Sequence, residues 1–375
     1  MPIVTIVKPA AGGLGLGFLD GRAVFVPSSD VGETLEIELV EEHADYARGA
    51  ITRIIAPSDN RIEPECPNFG TCGGCDYLHI TYEAEIAHKK TIALDCLRRL
   101  GRFAPEALPV LEVEHGPRAG YRSHAELASD GVSLGFFARR SHRTVPLPPD
   151  GCRLLAEPIN RALASLAPPP PGALKIALDA EGYVRRAPFD SVVREHENGI
   201  CYRRSLQGFF QANRHLRGRM IEIVRTHAHA VPEAPFADVY CGVGFFSVAL
   251  ALAGMRGEGF DGDAEAVRWA RANASDNECA EIEFFSRSAD SIAPAALSGR
   301  TVIVDPPRAG LSKRFRRTLA ASGAPRIIYV SCDPATFARD ASAFAAAGFR
   351  FAAHTLIDMF PATAHIEQIA LFESA

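Results

Sequence analysis

The chain lacks any apolar run near the roughly 18 residues that a membrane span needs, which argues against a transmembrane helix and a membrane partner. It also lacks a basic start followed by an apolar stretch, the pattern of a secretory leader. A cytoplasmic location is therefore expected. Net positive charge is missing as well. Forty Lys and Arg stand against 45 Asp and Glu, a balance of −5, so the whole chain is not a polycation built for nucleic acid. Nine cysteines in a reducing compartment argue for metal binding or catalysis over disulfides. At 375 residues and 47% hydrophobic content, the chain is long enough for two or three packed domains. It is expected to act as a monomer.

The charge is unevenly spread. Residues 1–60 hold four Lys/Arg against nine Asp/Glu, while residues 115–220 hold sixteen against nine. A basic middle on an acidic chain is compatible with a groove that tracks phosphates, and equally with scattered solvated arginines.

Residues 1–56 show no helical pattern. Short strands are predicted at Ile3–Val7, Ala23–Val26, Leu35–Val40 and Tyr46–Ile55, which suggests a small closed barrel of the OB type. The glycine-rich stretch Gly12-Gly13-Leu14-Gly15-Leu16-Gly17 between the first two reads as a loop. It opens no helix, so it is not a phosphate cradle. Residues 57–80 are rich in Pro, Cys and Gly, and Tyr82–Leu100 has helical periodicity. Residues 120–210 read as mostly β, interrupted by the stiff connector Pro168–Pro171. From Arg214 the pattern becomes an α/β alternation, predicting a mostly parallel sheet with one antiparallel strand. Its strands fall near 236–240, 257–261, 282–285, 301–305, 326–331, 349–357 and 365–372, preceded by a helix near 214–230. Domains are thus expected at 1–56, 57–213 and 214–375.

Three strand ends in the last part carry chemistry. Cys332 lies in Ser331-Cys332-Asp333-Pro334, between an apolar strand and a helix start. Asp305-Pro306-Pro307 ends the strand before it. Asp238-Val-Tyr240-Cys241-Gly242-Val-Gly244 ends an earlier one and opens a helix, and Asp261 ends the next strand, where a carboxylate can take both hydroxyls of a ribose. The third glycine of a dinucleotide fingerprint is absent, which disfavours NAD. A glycine turn, an Asp-Pro-Pro and a cysteine at the carboxyl edge of one sheet describe a methyltransferase with a covalent nucleophile.

A second signal is Cys66-x5-Cys72-Gly-Gly-Cys75. Three thiols on a glycine-rich loop fit a metal centre, which wants a fourth ligand. Cys96 shares a helix with Leu94, Leu97 and Leu100, so the loop residue Cys152 is preferred. Zinc and an iron–sulfur cluster both fit by ligand type. Cys201, Cys241 and Cys279 read as structural.

Taken together these residues resemble the bacterial RNA (uracil-5-)-methyltransferases, specifically the ribosomal RNA subgroup with an N-terminal TRAM barrel and a [4Fe–4S] cluster. The resemblance runs over nearly the whole chain and includes Phe209-Phe210-Gln211-Ala-Asn213, Tyr121-Arg122, Asp358-Met-Phe-Pro361 and Thr363-Ala-His365-Ile-Glu367. It implies Cys332 as nucleophile and Glu367 as base. It implies S-adenosylmethionine contacts at Gln211, Tyr240, Asp261 and Asp305, and cluster ligands at Cys66, Cys72, Cys75 and Cys152. Phe245 stands where relatives often have an Asn beside the donor, so that contact falls to backbone or is lost. Ala362 replaces a common Gln.

The implied reaction starts with attack of the Cys332 thiolate on uracil C6, which makes C5 nucleophilic toward the sulfonium methyl. Glu367 then removes the C5 proton so that the cysteine can leave. The helix beginning at Pro334 is expected to favour the thiolate, and burial is expected to raise the Glu367 pKa. The substrate implied is 23S ribosomal RNA, with an unstacked uridine in a single-stranded or loop region. Arg139, Arg140, Arg143, Arg203 and Arg204 are expected to hold its backbone. Alternatives are a transfer RNA uracil methyltransferase, a DNA cytosine-C5 methyltransferase, disfavoured by Ser331 before the cysteine, and a non-catalytic iron–sulfur RNA-binding protein.

Overall fold

The computed structural model describes residues 1–229 and 234–374. Alternating short segments give six strands at the start, β1 (Ile3–Thr5), β2 (Lys8–Ala10), β3 (Leu14–Leu19), β4 (Arg22–Pro27), β5 (Thr34–Glu42) and β6 (Tyr46–Ala56). They form one sheet in the order β1-β5-β6-β4-β3-β2. Its two ends, β1 and β2, are successive parts of one chain segment, and between them Val7 N–H donates to Leu16 O at 2.8 Å. The sheet therefore curls back on itself around Val4, Ile6, Val24, Val26, Leu35 and Ile37.

Of the glycine stretch that reads as a loop, Gly12 and Gly13 form a turn and Leu14 to Gly17 belong to strand β3. A Cβ on Gly15 would collide with Ile6 and Ser29, and one on Gly17 with Val4 and the Thr5 carbonyl. The missing side chains let the first strand cross tightly over β3, a use of strand glycine that local propensity does not reveal.

After an irregular cysteine-bearing segment comes helix α1 (Tyr82–Arg99), where the Thr81 side chain accepts from Ala84 N–H. Next come β7 (Leu111–Glu114), β8 (His124–Ser129), β9 (Leu134–Phe137), β10 (Thr144–Pro146), α2 (Glu157–Ala164), β11 (Gly172–Leu178), β12 (Val184–Arg186), β13 (Val192–Glu197) and β14 (Ile200–Ser205). Five of these make a sheet in the order β10-β9-β8-β11-β12, and β13 with β14 makes a separate hairpin. Helix α2 covers the five-stranded sheet through Ile159 and Leu163. It is a helix inside a region that reads as β, eight residues long and started by Pro158.

The remaining elements are α3 (Arg217–His229), β15 (Phe236–Val239), α4 (Phe245–Leu252), β16 (Gly257–Asp261), α5 (Ala264–Asp276), β17 (Ile282–Ser286), β18 (Thr301–Val304), α6 (Lys313–Ala320), β19 (Arg326–Ser331), α7 (Pro334–Ala346), β20 (Phe349–Ile357) and β21 (Glu367–Ser374). The sheet order is β17-β16-β15-β18-β19-β21-β20-β7. β15 to β19 run parallel, and β21 is antiparallel to both neighbours. The last strand, β7, pairs in parallel with β20 and comes from before the five-stranded sheet. One apolar layer lies beneath α3, α4 and α5 around Met220, Phe246 and Val248. The other lies beneath α6 and α7 around Phe315, Phe337 and Phe344, and Leu97 of α1 joins it. Among the described residues, no helix is long and apolar enough to cross a membrane.

Gly17→Val should lower unfolding stability by about 1–3 kcal/mol, the usual cost of forcing extra volume into a close contact. Urea unfolding measures this, and an unchanged midpoint would show that the first strand does not cross β3 so closely.

Candidate active site

Five neighbouring strands bring their functional ends to one edge of the eight-stranded sheet. Asp261 closes β16, Asp238 lies within β15 just before its end, Asp305 follows β18 and Cys332 follows β19. Glu367 begins β21, which runs the opposite way and so starts at the same edge. Ser331 pairs with Gln368 across β19 and β21, which sets Cys332 beside Glu367.

The turn after β15 is conformationally demanding. Tyr240, Gly242 and Gly244 have φ of 69°, 54° and 84°. For Tyr240 this left-handed backbone costs about 1–3 kcal/mol, a strain that concentrates at functional sites. The Asp261 carboxylate ties the turn to β16 by accepting from Gly242 N–H at 2.9 Å and Asp263 N–H at 2.8 Å. Asp238 is fully buried and accepts from the Ser247 hydroxyl.

The edge is crowded with acids out of water. Burial pushes Asp238 up to about 7, with Asp261 adding to the rise and Ser247 opposing it. Burial and then Asp238 push Asp305 up to about 7. Glu367, only 7% exposed, is raised well above the carboxylate range by burial and then by Asp305, against the pull of Arg308. Cys332 rises to about 12 through burial, Glu367 and Asp305 in that order, with Arg308 opposing.

The thiol thus corrects the expectation of a helix-stabilised thiolate. The amides of Ala335 and Thr336 at the start of α7 are taken by the Asp333 side chain, so the helix end is capped by a carboxylate. Arg308 is the cation that sequence reasoning missed, although it directly follows Asp305-Pro306-Pro307. Its guanidinium donates to His365 Nδ1 at 2.7 Å. Burial and Arg308 lower the His365 pKa to about 4, so the ring is a neutral acceptor.

Gln211 is 5% exposed and its Oε1 has no partner. The residue before it, Phe210, is flanked by the guanidinium groups of Arg204 and Arg217, 5.6 and 5.3 Å from the ring centre. Both arginines bind Glu195. The Phe245 ring packs against Phe210 and Tyr202 inside the core, and its carbonyl accepts from Tyr202 OH at 2.8 Å. The structure therefore does not offer the Phe245 side chain to a ligand. A buried amide oxygen without a partner and an edge of raised carboxyl groups fit a cationic ligand with hydrogen-bond donors.

The cysteines form a separate centre. Cys66, Cys72, Cys75 and Cys152 line one apolar cavity of about 50 Å³ with Phe69, Leu78 and Leu154. Cys75 is pushed up by burial and by Cys152, Cys72 and Cys66, so the four thiols share one environment. Asn160 fixes Cys152 by accepting from its N–H and donating to its carbonyl, each at 2.9 Å. Cys96 lies outside this cavity, beside Leu97 on α1. Among the described residues, no three His, Cys, Asp or Glu side chains converge on a position for a single metal ion. A tetrahedral zinc–thiolate site, with bonds of about 2.3 Å, needs sulfurs about 3.8 Å apart. In a polynuclear cluster each thiolate takes a different metal atom, so four thiols lining one cavity do not have to meet at a single point.

Part of the basic middle is internally paired. The buried Arg204 is thereby removed from the expected phosphate contacts, whereas the Arg140 side chain stays 62% exposed and that of Arg203 38%. Arg139 binds Asp76, Arg140 lies 3.7 Å from Glu41, Arg203 binds Asp276, and Arg204, 1% exposed, binds Glu195.

The family model described as tRNA (Uracil-5-)-methyltransferase matches residues 175–374. The 23S rRNA (uracil(1939)-C(5))-methyltransferase RlmD of Shewanella baltica is 30% identical, over 96% of this chain and 93% of its own. The protein of the same name from Thiobacillus denitrificans is 30% identical over 99% of both chains. The solved structure of the Pyrococcus abyssi tRNA (uracil-54, C5)-methyltransferase, in complex with S-adenosyl-L-homocysteine, superposes with a TM-score of 0.76. It covers 98% of this chain and 100% of its own at 23% identity, a likeness of fold.

The raised carboxyl groups make stability depend on pH. Between about pH 4 and 7 the folded chain keeps protons on Asp238 and Asp305 that the unfolded chain has lost, so stability falls as pH rises through that window. Asp305→Asn should raise the melting midpoint by a few degrees at pH 8 and leave it unchanged near pH 3. Calorimetry at both values checks this, and an equal shift at both would assign the effect to packing.

Proposed function

The chain belongs to the tRNA (uracil-5-)-methyltransferase family, and on that premise we propose that it methylates C5 of a uridine in 23S ribosomal RNA through a covalent bond to Cys332. It is an S-adenosylmethionine-dependent RNA (uracil-5-)-methyltransferase. The observation that carries the mechanism is Cys332 placed beside the buried Glu367 across β19 and β21. The names of the relatives support ribosomal RNA as substrate.

S-adenosylmethionine supplies an electrophilic methyl on a positively charged sulfur. Gln211, Tyr240, Asp261 and Asp305 would hold it, and the contact at Phe245 would be lost or made by backbone. The Cys332 thiolate adds to uracil C6, and C5 takes the methyl group from the sulfonium, so that S-adenosylhomocysteine leaves. Glu367, in its ionised form, takes the C5 proton, and the S–C6 bond breaks to release 5-methyluridine and the Cys332 thiolate. The Arg308 guanidinium lowers the pKa of both Cys332 and Glu367, which helps each reach the form it needs.

Cys66, Cys72, Cys75 and Cys152 would hold a [4Fe–4S] cluster, a reading supported by the cavity that all four line. Such a cluster would tie the cysteine-bearing loop to Cys152, and no methyl-transfer step is assigned to it. Residues 1–56 form the TRAM-like barrel, 57–213 the cluster and RNA-binding region, with α1 and β7 lent to the last layer, and 214–375 the methyltransferase domain. The enzyme acts in the cytoplasm as a monomer.

Incubation with labelled donor and either 23S rRNA or tRNA transcripts tests the substrate. Label in 5-methyluridine of the ribosomal transcript is expected, and label in tRNA alone would favour the specificity named for the Pyrococcus enzyme. Cys332→Ala should abolish turnover and any adduct with 5-fluorouracil RNA. Glu367→Gln should accumulate a methylated Cys332–RNA adduct, visible as a gel shift carrying label, whereas full turnover by this variant would reassign the base. Anaerobically purified protein should contain about four irons, and zinc in their place would overturn the cluster assignment.

A further inference from the structure

Residues 358–366 run between β20 and β21 and deliver Glu367 to the sheet edge, with no strand or helix of their own. Their backbone is held by side chains from distant parts of the chain. Asn213 donates to Met359 O, the buried Lys89 to Phe360 O and Tyr121 OH to Pro361 O. Ala362, at φ 67°, donates its N–H to Glu85 at 2.6 Å.

Asp76 has a different place in this scheme, because it meets three parts of the molecule at once. Its own N–H donates to Ala362 O at 2.8 Å, and its Oδ2 accepts from Ala364 N–H at 2.8 Å. It therefore clamps residues 362–364 from both sides. Its Oδ1 accepts from Arg139, whose other terminal nitrogen donates to Cys75 O, each at 2.8 Å. From the barrel, Gly13 presses on the same point. A Cβ there would stand 2.5 Å from Asp76 Cβ and 3.4 Å from Ala364 Cβ. The glycine stretch singled out in the sequence thus begins in a turn that seats on this junction. One residue beyond Ala364, His365 binds Arg308, and Glu367 follows two residues later.

We propose that Asp76 is a positioning residue for the methylation reaction, through which the cysteine-bearing loop and the barrel together fix the aim of Glu367. This rests on the reaction assigned above. The clamp fixes where the chain enters β21, and a catalytic group displaced by about 1 Å can lose about 100-fold in rate. The step most exposed to such an error is proton removal from C5, because Glu367 carries it, whereas attack by Cys332 depends on β19.

The test compares Asp76→Ala, Asp76→Asn and Gly13→Ala in the full chain, with wild type alongside. Asp76→Ala should lower kcat by about 10- to 100-fold and accumulate methylated adduct on unmodified RNA. Its S-adenosylmethionine affinity, melting midpoint and iron content should stay near wild type. Asp76→Asn keeps an acceptor for Ala364 N–H and should recover most of the lost rate. Gly13→Ala, which drives a methyl group into Asp76, should also slow turnover and accumulate adduct.

Wild-type kcat in Asp76→Ala overturns the proposal, as does slow turnover without adduct. If Asp76→Ala does not fold, wild-type kcat in Gly13→Ala overturns it, and adduct in Gly13→Ala supports it. A wild type that methylates no RNA overturns the assigned reaction as well, which separates the two failures.

Discussion

Removal of acids from water at one edge of the eight-stranded sheet is the constraint on which the site depends. Asp238, Asp305 and Glu367 share that edge with Cys332, and burial raises the pKa of all four. Each group in its charged form is disfavoured alone and further disfavoured by its neighbours. The cation that opposes the rise of both Cys332 and Glu367 is Arg308, and a sulfonium centre brought into this edge would act in the same sense. It stabilises the ionised forms of the groups that must ionise. Donor binding would then favour the ionised nucleophile, whereas burial disfavours the Cys332 thiolate in the free protein.

Holding such an edge in place takes rigid surroundings, and much of the charge outside the site serves that end. Lys89 lies fully buried between Glu85 and Asp358, under the segment that leads into Glu367. Arg204 and Arg217 clamp Phe210 beside Gln211. His88 of α1 binds Asp30 of the barrel at 2.9 Å, which docks the first six strands on the helix that also packs against α7. Within the arginine excess between residues 115 and 220, Arg140, Arg161 and Arg194 pair on the surface, while Arg204 and Arg217 thus serve as an internal scaffold. Breaking one such pair leaves a buried charge alone and costs far more than its formation contributes.

The parallel sheet was legible because β15, β18 and β19 are covered on both faces and read as continuous apolar runs bounded by turn residues. Strand β7 was not, since Leu111–Glu114 alternates for only four residues, too short a run to read as a strand, and pairing with β20 makes it one. Strand β3 was hidden by its glycines, whose purpose is a tertiary crossing. At the site, the resemblance pointed to Cys332 and Glu367, and sheet register explains their adjacency. The ionisation of Cys332 was misread although the signal was present. Asp333 before Pro334 is a helix cap, and a capped helix has its first amides already occupied. Arg308 and Asp76 were missed for a simpler reason. Each acts on a residue more than fifty positions away, and nothing local marks that.

The claim that the thiol is held neutral until a cationic donor arrives can be tested directly. The rate of alkylation at Cys332, followed on its own peptide by mass spectrometry, should be measured against pH without ligand, with S-adenosylmethionine and with S-adenosylhomocysteine. In the free protein and with the uncharged product the rate should still be climbing above pH 10, and the donor should move the curve down by at least about one unit, or 1.4 kcal/mol. A free protein whose Cys332 reacts at its full rate by pH 7, with no change on adding the donor, would contradict the account.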